Sequence, residues 1–152
     1  MQKITACLWF DDRIEDAVKF YTSVFKGGKV LDTSRYPDGR ILTANIEILG
    51  QTFQLLNGGP RFKFTEAVSF SIDCKDQAEV DYYWNALIAD GGEESMCAWC
   101  KDKFGLSWQV VPEALPKLLG GSDKAGAGRA MQAMLQMRKI IVADLEKAYA
   151  GK

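Results

Sequence analysis

Three observations predict an α+β fold made of two similar modules. A strand–helix–strand pattern runs twice along the chain. A seven-residue run closes each half in nearly the same letters. Each helix stops at a Gly-Gly pair, Gly27-Gly28 and Gly91-Gly92. The expected architecture is two βαβββ modules whose sheets curl into an open, barrel-like surface, with helices outside and a further helix at the C-terminus. One such module cannot bury both faces of its own sheet, so two are needed around a common core.

The elements follow in order. Ile4 to Phe10 reads as a buried strand. Asp11-Asp12 supplies cap chemistry for a helix over Arg13 to Phe25, whose Ile14, Ala17, Val18, Tyr21, Val24 and Phe25 recur at helical spacing. Val30 to Tyr36 is a second strand, and Pro37-Asp38-Gly39 a turn in which Pro presets φ and Gly accepts a positive one. Ile41 to Leu49 alternates as a third strand, and Gln51 to Leu56 is a fourth. The second half restarts with a strand over Ala67 to Asp73 and a helix over Gln77 to Gly91, in which Asp73 repeats the capping role. A strand near Ser95 to Trp99, a turn through Lys101 to Gly105 and a strand over Leu106 to Val111 close it. Ala125 to Ala150 then reads as one helix with a Met-rich apolar face. The Gly-rich stretch from Leu118 to Gly128 before it suggests a hinged lid.

The halves match in residues too. Phe10-Asp11 and Phe20-Tyr21 align with Ile72-Asp73 and Tyr82-Tyr83 at a step of 62. Gly50 to Leu56 aligns with Gly105 to Val111 at a step of 55, sharing Gly-x-(Thr/Ser)-aromatic-Gln-apolar-apolar. The smaller second step gives the second module a shorter middle loop. The resulting organisation is a first module over 1–60, a second over 61–115, and a lid-like linker with the C-terminal helix over 116–152, as one compact domain.

Composition excludes several classes. Nineteen Lys and Arg against twenty Asp and Glu, mixed along the chain, leave a net charge of −1 and no basic stripe for nucleic acid. No apolar run spans a bilayer, and the N-terminus has no signal core, so a cytoplasmic protein is expected. The chain has no histidine, which removes the commonest metal ligand and neutral-pH base. The four cysteines are expected to be free thiols.

Strand parity aims Gln54 and Gln109 into the cavity, with Thr52 and Ser107 beside them and Trp108 turned to the helix layer. The two amides either hydrogen-bond a small polar ligand or satisfy each other, backbone or water. Cys97-Ala98-Trp99-Cys100 is formally C-x-x-C, but on a strand residues three apart face opposite ways. It therefore reads as packing, with Cys97 the nucleophile candidate if the protein is an enzyme. Glu66 is the acid/base candidate or a solvated carboxylate. Trp9, Trp84, Trp99 and Trp108 read as core anchors, with Trp99 and Phe62 or Phe64 at the pocket mouth. No nucleotide-type cofactor site is read. Gly27-Gly28 and Gly91-Gly92 follow helices, and Gly120-Gly121 and Gly126-x-Gly128 lack a preceding strand.

Leu8-Trp9-Phe10-Asp11-Asp12, Ala17-Val18-Lys19-Phe20-Tyr21 and Asp102-Lys103-Phe104-Gly105-Leu106-Ser107-Trp108-Gln109-Val110-Val111-Pro112 together resemble the PhnB-like branch of the vicinal-oxygen-chelate (glyoxalase/bleomycin-resistance) superfamily, often labelled 3-demethylubiquinone-9 3-methyltransferase. The resemblance runs over roughly residues 2 to 150. It implies βαβββ repeats and a homodimer. It also implies metal-ligand points in the first and last strand of each module. Here these fall near Ala6, near Ala67 or Val68, and on Gln54 and Gln109, where relatives often carry Glu. Alkyl groups and neutral amides are poor ligands for a hard cation, so no metal and no cofactor are expected.

Three functions remain open. The first is a metal-free small-molecule binding protein. The second is an enzyme of the same superfamily, lyase-, isomerase- or methyltransferase-like, using Gln54, Gln109, Cys97 and Glu66. The third is an interaction protein whose cavity is filled by Leu8, Phe10, Trp99 and the Phe62/Phe64 pair.

Overall fold

The computed structural model describes residues 2–152. Contacts divide the chain into two units, one running to Phe64 and the other from Thr65 to Lys152. The α+β class and the module pattern are as expected. The strands form two four-stranded sheets, where one open, barrel-like sheet was expected, and neither closes into a barrel.

The first unit holds β1 (Ala6–Phe10), α1 (Ile14–Val24), β2 (Lys29–Arg35), β3 (Ile41–Ile48) and β4 (Gln51–Asn57). Its sheet order is β1-β4-β3-β2, with β1 parallel to β4 and the remaining pairs antiparallel. Alternation sets the core. Ala44, Ile46, Ile48, Phe53 and Leu55 are buried, as are Ile14, Ala17, Tyr21 and Val24 of the helix packed on β3 and β4. Leu8 and Phe10 share that buried side. They therefore cannot fill a cavity on the Gln54 face, as the third functional reading requires. The Pro37–Gly39 turn forms as expected: Gly39 has φ +91° and donates to the Tyr36 carbonyl at 2.9 Å.

The capping expectation is corrected. Neither Asp11 nor Asp12 caps α1, and Asp12 has φ +56°. Asn57, 43 residues away, accepts the Ile14 N–H at 3.1 Å and donates to the Ile41 carbonyl at 3.0 Å. A β4 side chain thus supplies what a local carboxylate would otherwise provide.

The second unit holds β5 (Ser69–Cys74), α2 (Gln77–Ile88), a 3-10 turn (Ala89–Gly91), β6 (Glu93–Glu94), β7 (Trp99–Lys101) and β8 (Ser107–Pro112), in sheet order β5-β8-β7-β6. The α2 cap is Asp76 rather than Asp73. Asp76 accepts the Glu79 N–H at 2.9 Å while Glu79 accepts the Lys75 N–H at 2.7 Å, a reciprocal box. The repeat register is also corrected. Buried Ala17, Tyr21 and Val24 correspond to buried Val80, Trp84 and Leu87, a step of 63 rather than 62.

The strand expected near Ser95 to Trp99 is instead a turn through Ala98, with only Trp99 in a strand. Cys97 and Ala98 lie in the left-handed region, at φ +56° and +77°, between β6 and β7. The single helix expected over Ala125 to Ala150 is two, α4 (Lys124–Leu135) and α5 (Val142–Ala150), and a further short helix, α3 (Ala114–Leu119), precedes them. The causes are tertiary. The Met137 and Arg138 carbonyls accept the Cys97 and Ala98 N–H groups at 2.8 and 3.0 Å. Gln77 takes the Val142 N–H at 2.8 Å and gives a bond to the Ile140 carbonyl at 3.0 Å. These bonds replace the helical ladder between Leu135 and Val142. Ala98, Leu115, Ile140 and Leu145 form the core of this segment, with Val111 packed against it.

Leu118 to Gly128 runs from the end of α3 into the first turns of α4. Asp123 caps α4 through the Gly126 N–H at 3.1 Å, and its own N–H donates to the Tyr149 hydroxyl at 3.2 Å. A side chain at Gly126 would meet the Tyr149 carbonyl at 2.7 Å. Gly126 and Gly128 sit inside the helix, not in a strand-to-helix turn.

Candidate functional site

Each sheet has one face turned from its helix, and strand register assigns the residues on it. In the first unit Gln54 lies opposite Cys7 on one side and Asn45 on the other, and Asn45 opposite Asp32. The flanking rows are Lys29–Glu47–Thr52 and Ser34–Thr43–Leu56–Trp9. The rows on β2 and β3 are joined by side-chain bonds: Lys29 to Glu47 at 3.2 Å, Asn45 to Asp32 at 2.8 Å, and Ser34 with Thr43 at 2.5 Å. The Gln54 amide has no hydrogen-bond partner among the described residues. Burial pushes the Cys7 thiol above its ordinary pKa, so it stays protonated at neutral pH.

Trp9 closes this face at its row end. Its indole N–H donates to the Gly59 carbonyl at 2.8 Å, and Phe62 meets it edge-on with ring centroids 5.0 Å apart. Phe64 packs instead on Phe10, on the buried side. Gly58 is obligatory here because any side chain would run into the Trp9 ring.

In the second unit Gln109 lies opposite Trp99 and Ser71, and Ser107 opposite Lys101 and Ser69. Gln109 donates to the Ser69 hydroxyl at 2.9 Å. The Ser107 hydroxyl is buried and has no hydrogen-bond partner among the described residues. Glu66 is ion-paired with Lys101, which holds its carboxyl below the usual range. A general acid would need the opposite shift. Trp108 faces away, as parity requires.

The Asp-x-Phe-Gly-x-x-Trp run has a structural cause. Buried Asp102 accepts the Phe104 and Leu106 N–H groups at 2.9 and 3.1 Å and the Trp108 indole N–H at 2.9 Å. Gly105, at φ +85°, closes the turn by donating to the Asp102 carbonyl at 2.9 Å. Fixing Trp108 on one side of β8 fixes Gln109 on the other.

All four cysteines are free. Burial raises Cys74 and Cys100 to about 12, so neither is a nucleophile near neutral pH. Cys97 sits in the left-handed turn before β7, outside the paired register of that strand. Sequence reasoning missed Cys7, Ser69, Ser71, Asn45 and Asp32. For Cys7 a signal existed: it alternates with Leu8 and Phe10, so it shares the face of Gln54.

Residues 2–111 match the family model described as 3-demethylubiquinone-9 3-methyltransferase. The chain belongs to this family. It is similar to a 3-demethylubiquinone-9 3-methyltransferase-like PhnB protein from Bacillus cereus, at 30% identity and a TM-score of 0.66 over 73% of this chain and 99% of that one. A Pseudomonas aeruginosa protein shares the fold at 20% identity and a TM-score of 0.61, over 74% of this chain and 98% of that one. So does a variant of the fosfomycin resistance protein FosX from Listeria monocytogenes, bound to Mn(II) and 1S,2S-dihydroxypropylphosphonic acid. It matches at 15% identity and a TM-score of 0.56, over 72% of this chain and 92% of that one. No curated protein matches. As a member of the vicinal-oxygen-chelate superfamily, this 3-demethylubiquinone-9 3-methyltransferase relative can be tested against the superfamily's metal.

The residues do not fit it. Register moves the first-strand points from Ala6 and from Ala67 or Val68 to Cys7 and Ser71, the partners of Gln54 and Gln109. Two amides, a protonated thiol and a hydroxyl contain no carboxylate or imidazole, and the Gln109 amide is already bonded to Ser69. Among the described residues no three His, Cys, Asp or Glu side chains come together.

Proposed function

We propose that this family member binds a small organic molecule on its polar sheet faces without the family's metal, as a cytoplasmic homodimer. Gln54, Thr52, Gln109, Ser107 and Trp99 are its ligand contacts. The observation that carries the reading is the chemistry opposite the two glutamines. Where metal-dependent relatives place charged ligands, the register brings Cys7 to Gln54 and Ser71 to Gln109. Neutral donors and acceptors remain, with an aromatic ring on each face. That combination suits hydrogen-bonded recognition of a small molecule. No described helix is long and apolar enough to cross a membrane.

The test is native mass spectrometry and metal analysis of the purified protein, with thermal shift against Mn2+, Ni2+ and Zn2+. The expected outcome is a dimer holding no stoichiometric metal, with no stabilisation that depends on Gln54 or Gln109. A divalent ion held at one per chain and released by Gln54→Ala with Gln109→Ala sinks the reading.

A further inference from the structure

We infer that the ligand group held at Gln54 is uncharged and amide-like, presenting one hydrogen-bond donor and one acceptor in a plane. This rests on the proposed binding role and names the ligand's chemistry. Every charged side chain that register places on the first face already has a polar partner. Lys29 is bound to Glu47 at 3.2 Å, and Asp32 accepts from Asn45 at 2.8 Å. An anion at Gln54 would find no free cation there; Asp32 keeps its charge, since its partner Asn45 is neutral, but it stands two strands away beyond Asn45, so a cation at Gln54 would have no carboxylate in contact. Moving either from water without a countercharge is costly.

What the face does leave open is neutral. The Gln54 amide is half-buried in the row between Asn45 and Cys7 and makes no hydrogen bond to the described residues. It offers one carbonyl acceptor and two N–H donors. A carboxamide complements both with two parallel bonds. The Cys7 thiol beside it is neutral too, since burial holds its proton on. Leu56 and Trp9, two residues further along their strands, give an apolar surface for the body of such a ligand. The second face is a weaker candidate for this group, because the Gln109 amide is already committed to Ser69.

The experiment uses three probes of nearly equal size and different charge: benzamide, benzoate and benzylammonium. Each is titrated at pH 7 into the 15N-labelled full chain, with the Gln54 side-chain signals assigned by their loss in Gln54→Leu. Benzamide should shift those signals and bind roughly tenfold more tightly than either ion. The effect should vanish in Gln54→Leu while the rest of the spectrum stays folded. Benzoate or benzylammonium binding as well as benzamide would overturn the uncharged class and leave the binding role standing. Silence of the whole face towards all three, up to roughly millimolar concentration, would overturn both.

Discussion

Asp102 is the residue on which the second sheet's geometry turns, and removing its carboxylate has a calculable cost. It is 2% exposed and accepts three N–H donors, two from backbone and one from the Trp108 indole. In Asp102→Ala the Leu106 N–H and the indole N–H stay buried without partners, at about 1–3 kcal/mol each. The Phe104 N–H is only part-buried and can turn to water. Because the donors share one acceptor group their costs do not simply add, and about 3–5 kcal/mol is expected in total. That is a large part of a typical domain stability of about 5–15 kcal/mol. Asp102→Asn is more selective. Its amide oxygen keeps the two backbone bonds, but its NH2 group now faces the indole N–H, donor against donor, at about 2 kcal/mol. The assay is urea unfolding at neutral pH followed by fluorescence and circular dichroism. A midpoint drop of about 1–3 M is expected for Asp102→Ala. In the Trp108→Phe background the donor is gone, and Asp102→Asn should cost less than about 1 kcal/mol. A penalty for Asp102→Asn that is unchanged by Trp108→Phe, or an Asp102→Ala midpoint near that of the native chain, would refute the account.

Three further outcomes are expected. Asp76→Ala removes the α2 cap that accepts from Glu79 and should lower stability by about 1 kcal/mol in the same urea assay. Asn57→Ala orphans the buried Ile14 N–H and the Ile41 carbonyl and should cost about 2 kcal/mol, with faster amide exchange concentrated in the first turn of α1. Burial pushes the Cys74 and Cys100 thiols up to about 12 in the folded chain, above the ordinary thiol value of 9.0. The unfolded chain therefore loses these protons first as pH rises. Stability should be flat with respect to them below pH 9 and fall between about 9 and 12, and Cys74→Ala with Cys100→Ala should flatten that fall in urea midpoints against pH.

Much of the fold was legible because it rests on local pattern. Alternation over Ile41 to Leu49 and helical spacing over Arg13 to Phe25 gave elements that differ from the observed ones by a residue or two. The Gly-x-(Thr/Ser)-aromatic-Gln run located the last strand of each module and its parity. What escaped depends on partners distant in sequence. Nothing near Ile14 announces a cap from Asn57, and Asp11-Asp12 mimics one. Cys97 and Ala98 are poor choices for positive φ. They hold it because Met137 and Arg138 take their N–H groups, which no local propensity can report. The same bonds cut the C-terminal helix, where composition alone favours continuity. Cys7 escaped for a different reason: the repeat was aligned at a step of 62, whereas strand pairing relates Cys7 to Ser71.

The two glutamines occupy equivalent positions without being chemically equivalent, and the cause lies in where the ladders begin. In the second unit β5 pairs with β8 from Ser69 opposite Ser107, which brings the Ser69 hydroxyl within reach of Gln109. In the first unit the corresponding ladder starts one pair later, at Ala6 opposite Phe53. The residue that would stand for Ser69 is Thr5, before β1 begins, and it makes no bond to Gln54. One missing pair in a parallel ladder therefore leaves one amide free and the other engaged. Lengthening β1 by a residue would be expected to quench Gln54 as surely as mutating it, so the chemistry of the polar faces in this duplicated fold is set by strand ends as much as by the residues that line them.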